Sequence, residues 1–209
     1  MIALALKILL AYLLGSISGS MVLGRMRDVD IRSSGSGNAG GTNAFRTQGF
    51  RFALGVVIID IGKGALAAWA IPLLPFGEVV TPAIQVMACG FAAVVGHCYP
   101  AWHGFRGGKG AATAVGALAV IQPAVLIPMF ITWIVTLVLS GWVGLATILA
   151  GLSLIPAFAY LDPGRTNVAF ACLIALFLLF THRENVGRLI RGTENRFERV
   201  RVVNWFRRD

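Results

Sequence analysis

Charge is scarce in this chain, and acidic charge most of all. Only 13% of its 209 residues are charged, with nine Asp and Glu against 18 Lys and Arg. Water-soluble domains carry about 25% charged residues. That deficit, beside 57% hydrophobic residues, predicts an integral membrane protein and leaves no stretch for a separate soluble domain. Cysteine is also sparse: Cys89, Cys98 and Cys172 form no CxxC pair and lie in or beside apolar segments, so they read as free thiols. The three histidines, His97, His103 and His182, sit in no HExxH or Cys/His spacing, so neither a metal site nor a cofactor is expected. The GxSxG nucleophile motif and the GxxxxGK[ST] phosphate loop are absent as well.

Apolar runs dominate what is present. They predict helices at 2–24, 52–74, 82–98, 111–122, 124–140, 142–161 and 166–181, separated by Pro72 and Pro75, Gln122-Pro123, Ser140-Gly141 and Asp162-Pro163-Gly164. The expected fold is an all-α polytopic membrane bundle of seven transmembrane helices. The alternative is five crossings plus a re-entrant segment, because twelve residues at 111–122 rise only about 18 Å against a hydrocarbon layer of about 30 Å. Either count has the same parity. Basic residues cluster before the second helix (Arg25, Arg27, Arg32, Arg46, Arg51), around Arg106 and Lys109, and in the tail from Arg183 to Arg208. The positive-inside rule then puts these regions in the cytoplasm, with the N-terminus outside and the C-terminus inside. It also accounts for the net charge of +9 without a nucleic-acid partner. The first apolar run is read as a helix rather than a signal peptide, since its positive charges follow it. One transmembrane domain is expected over 1–194. The tail 195–209 has Phe197, Val200, Val203 and Phe206 spaced among arginines, which predicts an amphipathic interfacial helix.

Chemistry concentrates in three polar stretches. The first, Ser33 to Arg46, holds four glycines with Ser36, Asn38, Thr42, Asn43 and Arg46. Its composition would suit a linker, but side chains that donate to phosphate oxygens, on a glycine backbone allowing close approach, favour an anion site. The second, Gly107-Gly108-Lys109-Gly110 leading through Thr113 into a helix, predicts an anion nest of backbone N–H groups around a cation. His97 opens that loop, either as a satisfied membrane-edge residue or as part of the chemistry. The third runs from Thr181 to Glu194 and places His182 and Asn185 at i, i+3. Asp60 and Lys63 share the same spacing inside the second helix and read as an intramembrane pair bracing the site. Three polar stretches on one side of a bundle suggest one composite site. A small transporter or channel for phosphate-bearing solutes is the competing reading, although no inverted repeat is evident.

Together these motifs resemble the bacterial acyl-phosphate:glycerol-3-phosphate acyltransferases, the PlsY family. The family pattern Gly-Ser-Gly-Asn-x-Gly-Ala-Thr-Asn is matched by Gly35 to Asn43, with Gly41 in place of Ala. The pattern beginning Gly-His-x-x-Pro and ending Gly-Gly-Lys-Gly-Val-Ala-Thr is matched by Gly96 to Thr113, with Trp102, Arg106 and Ala111 departing conservatively. Thr-His-Arg-x-Asn-x-x-Arg-Leu with a following Gly-x-Glu corresponds to Thr181–Leu189, Gly192 and Glu194, and Asp-x-x-Lys-Gly to Asp60–Gly64. The resemblance implies acyl transfer from acyl phosphate to the 1-hydroxyl of glycerol 3-phosphate. Lysophosphatidic acid and phosphate are the products, as the first acylation of phospholipid synthesis, at a cytoplasmic-side site in the bacterial inner membrane. It implies glycerol-3-phosphate contacts at Ser36, Arg46, Lys109, His182 and Asn185, of which Ser36, Lys109, His182 and Asn185 also serve the chemistry. It implies an acyl-phosphate cradle of Gly37, Asn38, Gly40, Thr42, Asn43, Gly107, Gly108, Gly110 and Thr113. Asp60, Lys63, His97, Arg183 and Glu194 stand behind these. Membrane lipid surrounds the acyl chain, and an acyl-phosphate synthase upstream is an implied partner. The His-x-x-x-x-Asp pattern of other acyltransferases is absent, and the resemblance implies substrate-assisted catalysis in its place.

Overall fold

The computed structural model describes residues 2–76, 80–198 and 201, and among these it is all-helical. Ten α-helices follow in order: α1 (Ile2–Gly15), α2 (Gly19–Arg25), α3 (Gly41–Gln48), α4 (Phe50–Trp69), α5 (Pro82–Cys98), α6 (Ala111–Ile121), α7 (Leu126–Ser140), α8 (Val143–Leu161), α9 (Arg165–Thr181) and α10 (Arg183–Ile190). Four described segments are long and apolar enough to cross a membrane: Phe50–Leu73, Pro82–His103, Pro123–Ser140 and Val143–Leu161. Counting the bent pairs α1–α2 and α9–α10 as one span each raises this to six. At eleven residues, α6 is too short to cross alone. Large apolar side chains stay exposed along these helices, for example Ile58, Ile127, Ile131 and Leu176, as a protein solvated by lipid requires.

Two elements differ from the sequence expectation. The first predicted helix is broken at Ser16–Ser18 and bends by 45°. Part of the expected glycine-rich loop, from Gly41 onward, is the helix α3. Gly, Thr and Asn are poor helix formers, so tertiary contacts hold α3: Ala44 is fully buried, and Gly41 lies against Val57 of α4.

The chain divides into two compact units, residues 1–123 and 124–209. In the first, α4 packs on α6 and α1 on α5. Backbone approaches at close range in both pairs: Gly64 of α4 lies on the Thr113 carbonyl, Gly116 of α6 on that of Ile61, and Gly96 of α5 on that of Tyr12. Small residues at such crossings are the usual means of membrane helix packing. At the other end of α1, the buried Lys7 ammonium donates to Pro72 O (2.7 Å) and Gln85 Oε1 (2.7 Å). In the second unit, α8 packs between α7 and α9, and Trp133 Nε1 donates to Thr147 Oγ1 (3.2 Å) across the α7–α8 pair. The free cysteines are as expected, Cys89 and Cys98 buried and Cys172 half-buried. Of the expected tail helix, Val200, Val203 and Phe206 lie outside the described residues. Phe197 is non-helical, and its N–H donates to Gly141 O (2.8 Å).

Candidate active site

In the first unit, the loop before α3 is shaped by Asn43. This side chain is 1% exposed, and all its polar capacity is turned inward. Nδ2 donates to Ile31 O (2.9 Å) and Ser34 O (3.0 Å), while Oδ1 accepts the Ser36 N–H (2.9 Å). Asn43 is therefore a clip that closes the loop. The loop in turn presents Ser36 and Gly37 exposed, with Asn38, Gly40 and Thr42 half-buried and Arg46 exposed on α3.

Asp30 and Arg32, the latter expected only as a topology charge, join the first two motif loops. Asp30 caps the turn at 31–33 by accepting the Arg32 N–H (2.9 Å), and its other oxygen pairs with Arg32 Nη2 (2.8 Å). Arg32 Nη1 then donates to two carbonyls of the second loop, His103 O and Arg106 O, both at 3.2 Å. The guanidinium beside Asp30 holds its carboxyl below the ordinary carboxylate range. No local spacing signals this bridge, because its acceptors are backbone atoms more than 70 positions away.

The glycine loop corrects one expectation. The N–H groups of Gly107 and Gly108 do not line an anion nest. They donate to Cys98 O and His97 O, both at 3.1 Å. The reason is that the last carbonyls of α5 have no intrahelical partners, and this strand-like pairing satisfies two of them. Lys109 of this loop is half-buried and immediately precedes Gly110 at the N-terminus of α6. Gly110 begins α6 in the left-handed region (φ 86°), a conformation that a side chain would strain. Thr113 in the first turn is fully buried, and its Oγ1 has no hydrogen-bond partner among the described residues.

Beneath this loop lies a buried polar cluster. Lys63 Nζ has three acceptors: Ile17 O (2.7 Å), His97 Nδ1 (2.8 Å) and Asp60 Oδ1 (3.0 Å). Asp60 Oδ1 also accepts the Gly19 N–H (3.1 Å). The predicted i, i+3 pair is thus present, and it explains the break between α1 and α2. A carbonyl and an N–H freed there are satisfied by an ion pair, which in lipid is the condition for interrupting a helix. Gly108 must be glycine because a side chain would project onto His97 Nε2.

In the second unit, His182 begins α10 at a 55° bend from α9. Its Nδ1 lies 2.8 Å from Leu178 O, and a carbonyl can only accept, so Nδ1 carries a proton. Asn185, buried on α10, donates through Nδ2 to Glu194 Oε1 (2.7 Å), while Arg188 Nε donates to Glu194 Oε2 (2.6 Å). One carboxylate therefore orients both side chains. Gly144 of α8 gives Asn185 its space. Arg183 is exposed, stacked on Phe180 at 4.4 Å, with Nη1 donating to Phe180 O (3.1 Å).

Comparison with known proteins gives a consistent result over nearly the whole chain. Residues 5–192 match the family model described as glycerol-3-phosphate acyltransferase. The chain is 37% identical to the glycerol-3-phosphate acyltransferase of Chlorobium luteolum, covering 94% of this chain and 97% of that one. It is also 37% identical to that of Aquifex aeolicus, covering 91% and 97%, and 35% identical to glycerol-3-phosphate acyltransferase 2 of Bacillus anthracis, covering 91% and 97%. Among solved structures it is similar to PlsY (YgiH), described as an integral membrane glycerol 3-phosphate acyltransferase. The glycerol 3-phosphate form superposes with a TM-score of 0.83 at 33% identity, covering 93% of this chain and 95% of that one. The lysophosphatidic acid form gives 0.82, also at 33% identity, covering 96% and 98%.

Proposed function

Because this chain belongs to the glycerol-3-phosphate acyltransferase family, we propose that it transfers an acyl group from acyl phosphate to the 1-hydroxyl of glycerol 3-phosphate. The products are lysophosphatidic acid and inorganic phosphate. The observation that carries this reading is the survival, in order, of all the phosphate-type motifs within a fold matched over its length by PlsY in its glycerol 3-phosphate and lysophosphatidic acid forms.

Acyl phosphate is already activated, so no covalent enzyme intermediate is needed. The hydroxyl oxygen attacks the acyl carbonyl, the bond between that carbonyl carbon and the phosphate oxygen breaks, and the hydroxyl proton passes to the departing phosphate. The protein's tasks are alignment and stabilisation of the oxyanion. The glycerol 3-phosphate contacts proposed are those that the resemblance implies: Ser36, Arg46, Lys109, His182 and Asn185. Acyl phosphate is assigned to Gly37, Asn38, Gly40, Thr42, Gly110 and Thr113, with Asn43, Gly107 and Gly108 shaping its loops. Asp60, Lys63, His97, Arg183 and Glu194 support these groups.

The proposed topology is seven crossings, with α6 as one of them across a bilayer thinned around its eleven residues, the N-terminus outside and the basic loops cytoplasmic, in a bacterial inner membrane. Residues 1–194 form the transferase domain and 195–209 its tail. An acyl-phosphate synthase supplies the donor. The test is an assay of purified protein with acyl phosphate and glycerol 3-phosphate, following phosphate and lysophosphatidic acid together. Equal formation of both is expected. Phosphate without lipid product would mean hydrolysis, and neither product would remove the transferase reading.

A further inference from the structure

His97 remains without an assigned task beyond support. It is 3% exposed at the end of α5, directly under the glycine loop. Lys63 fixes its chemistry. An ammonium has three N–H bonds, and the three acceptors around Lys63 Nζ are a backbone carbonyl, a carboxylate and His97 Nδ1. At 2.8 Å from an N–H donor, Nδ1 must offer its lone pair, so the ring proton is on Nε2. Asp60 Oδ1, at 3.4 Å, is the more distant of the two neighbours of Nδ1. Nε2 has no hydrogen-bond partner among the described residues, and it occupies the place where a side chain at Gly108 would project. A donor is thus aimed at the one loop whose first two glycine N–H groups are already consumed by α5 carbonyls.

We propose that the Nε2–H of His97 is a binding donor for a phosphoryl group seated on the Gly108–Lys109 stretch, with Lys63 and Asp60 as positioning residues that hold its tautomer. The phosphoryl group belongs to either acyl phosphate or glycerol 3-phosphate, which share this chemistry. His182 differs in that its Nδ1 donates, to Leu178 O. The inference deepens the proposed function and rests on it only for the kinetic part of its test.

The first measurement is 15N NMR of the full chain in detergent micelles, labelled at histidine. His97 is identified by loss of its signals in His97→Gln. Expected are an unprotonated Nδ1, a protonated Nε2, and a saturable shift of the Nε2–H signal as inorganic phosphate is added. A proton on Nδ1, or an Nε2–H signal unmoved at saturating phosphate, overturns the proposal whatever the enzyme's acyl donor. The second measurement compares His97→Gln, whose amide N–H can reach the Nε2 position, with His97→Asn, whose shorter amide cannot. Gln should keep KM within about threefold of the native value. Asn should raise it by about 10- to 100-fold, the span of one hydrogen bond to a charged group, for the substrate whose phosphate it serves. Varying each substrate in turn identifies which. Equal loss or equal retention in the two variants, with unchanged melting temperatures, overturns the proposal. Failure of the native protein to use acyl phosphate would instead count against the proposed function alone, leaving the phosphate titration to decide the role of His97.

Discussion

Replacing Asn43 with alanine should damage the protein before any substrate is present. Its amide makes three hydrogen bonds that close the first motif loop, to Ile31 O, Ser34 O and Ser36 N. Each is worth about 0.5–1.5 kcal/mol net, so Asn43→Ala should cost about 3 kcal/mol. Ile31 itself is fully buried and gives its carbonyl little access to water. For a chain of this length, 1 kcal/mol corresponds to roughly 2–4 °C in Tm, which predicts a fall of roughly 6–12 °C in detergent. Asn43→Asp sharpens the test. A carboxylate still accepts the Ser36 N–H but cannot donate, and it turns negative charge toward two carbonyls, so Asp should do no better than Ala. The assay is thermal unfolding of the ligand-free protein, with kcat/KM measured at a temperature where both variants are folded. The clip reasoning fails if Asn43→Ala melts like the native protein and only KM rises, since that pattern belongs to a side chain that touches ligand.

Three other outcomes are expected. Lys109→Ala and Arg46→Ala should each lower kcat/KM by about 10- to 100-fold, as each removes a cation from a dianionic substrate; native kcat/KM in either variant would reject the assignment. Glu194→Ala releases both Asn185 and Arg188 and should lose at least about tenfold in kcat, whereas Glu194→Gln, which keeps an acceptor for Asn185, should lose less. Asp30→Asn tests the bridge between loops. The Asp30 carboxyl is held below its usual value of 3.8, so its pairing with Arg32 stabilises above that pH and is lost as pH falls through the depressed value. The difference in stability between native and Asp30→Asn should therefore be present at neutral pH and disappear once the pH has fallen through that depressed value; a difference that persisted with the carboxyl protonated would show that the pairing is not its source.

The helices were legible from composition because lipid leaves the backbone no alternative. Apart from the break at Ser16–Ser18, the apolar runs that the sequence marked are helical, with ends close to the expected ones from 82 onward. The Asp60–Lys63 pair was legible too, since i, i+3 spacing on a helix is local geometry. What local patterns did not carry is how polar groups are spent. Asn43 and the N–H groups of Gly107 and Gly108 look like ligand donors by residue type, yet they are satisfied internally, because buried amides and helix ends take partners wherever the fold supplies them. Arg32 looked like a topology charge and proved to be a connector between loops. The break at Ser16–Ser18 became intelligible only once Lys63 and Asp60 were found against its freed backbone groups. Residue types and their order determined that this is a membrane protein of phosphate-handling chemistry. Tertiary structure decided that some of its candidate donors are spent inside the fold, because hydrogen bonding saturates: an N–H already paired across the fold has nothing left to offer a ligand.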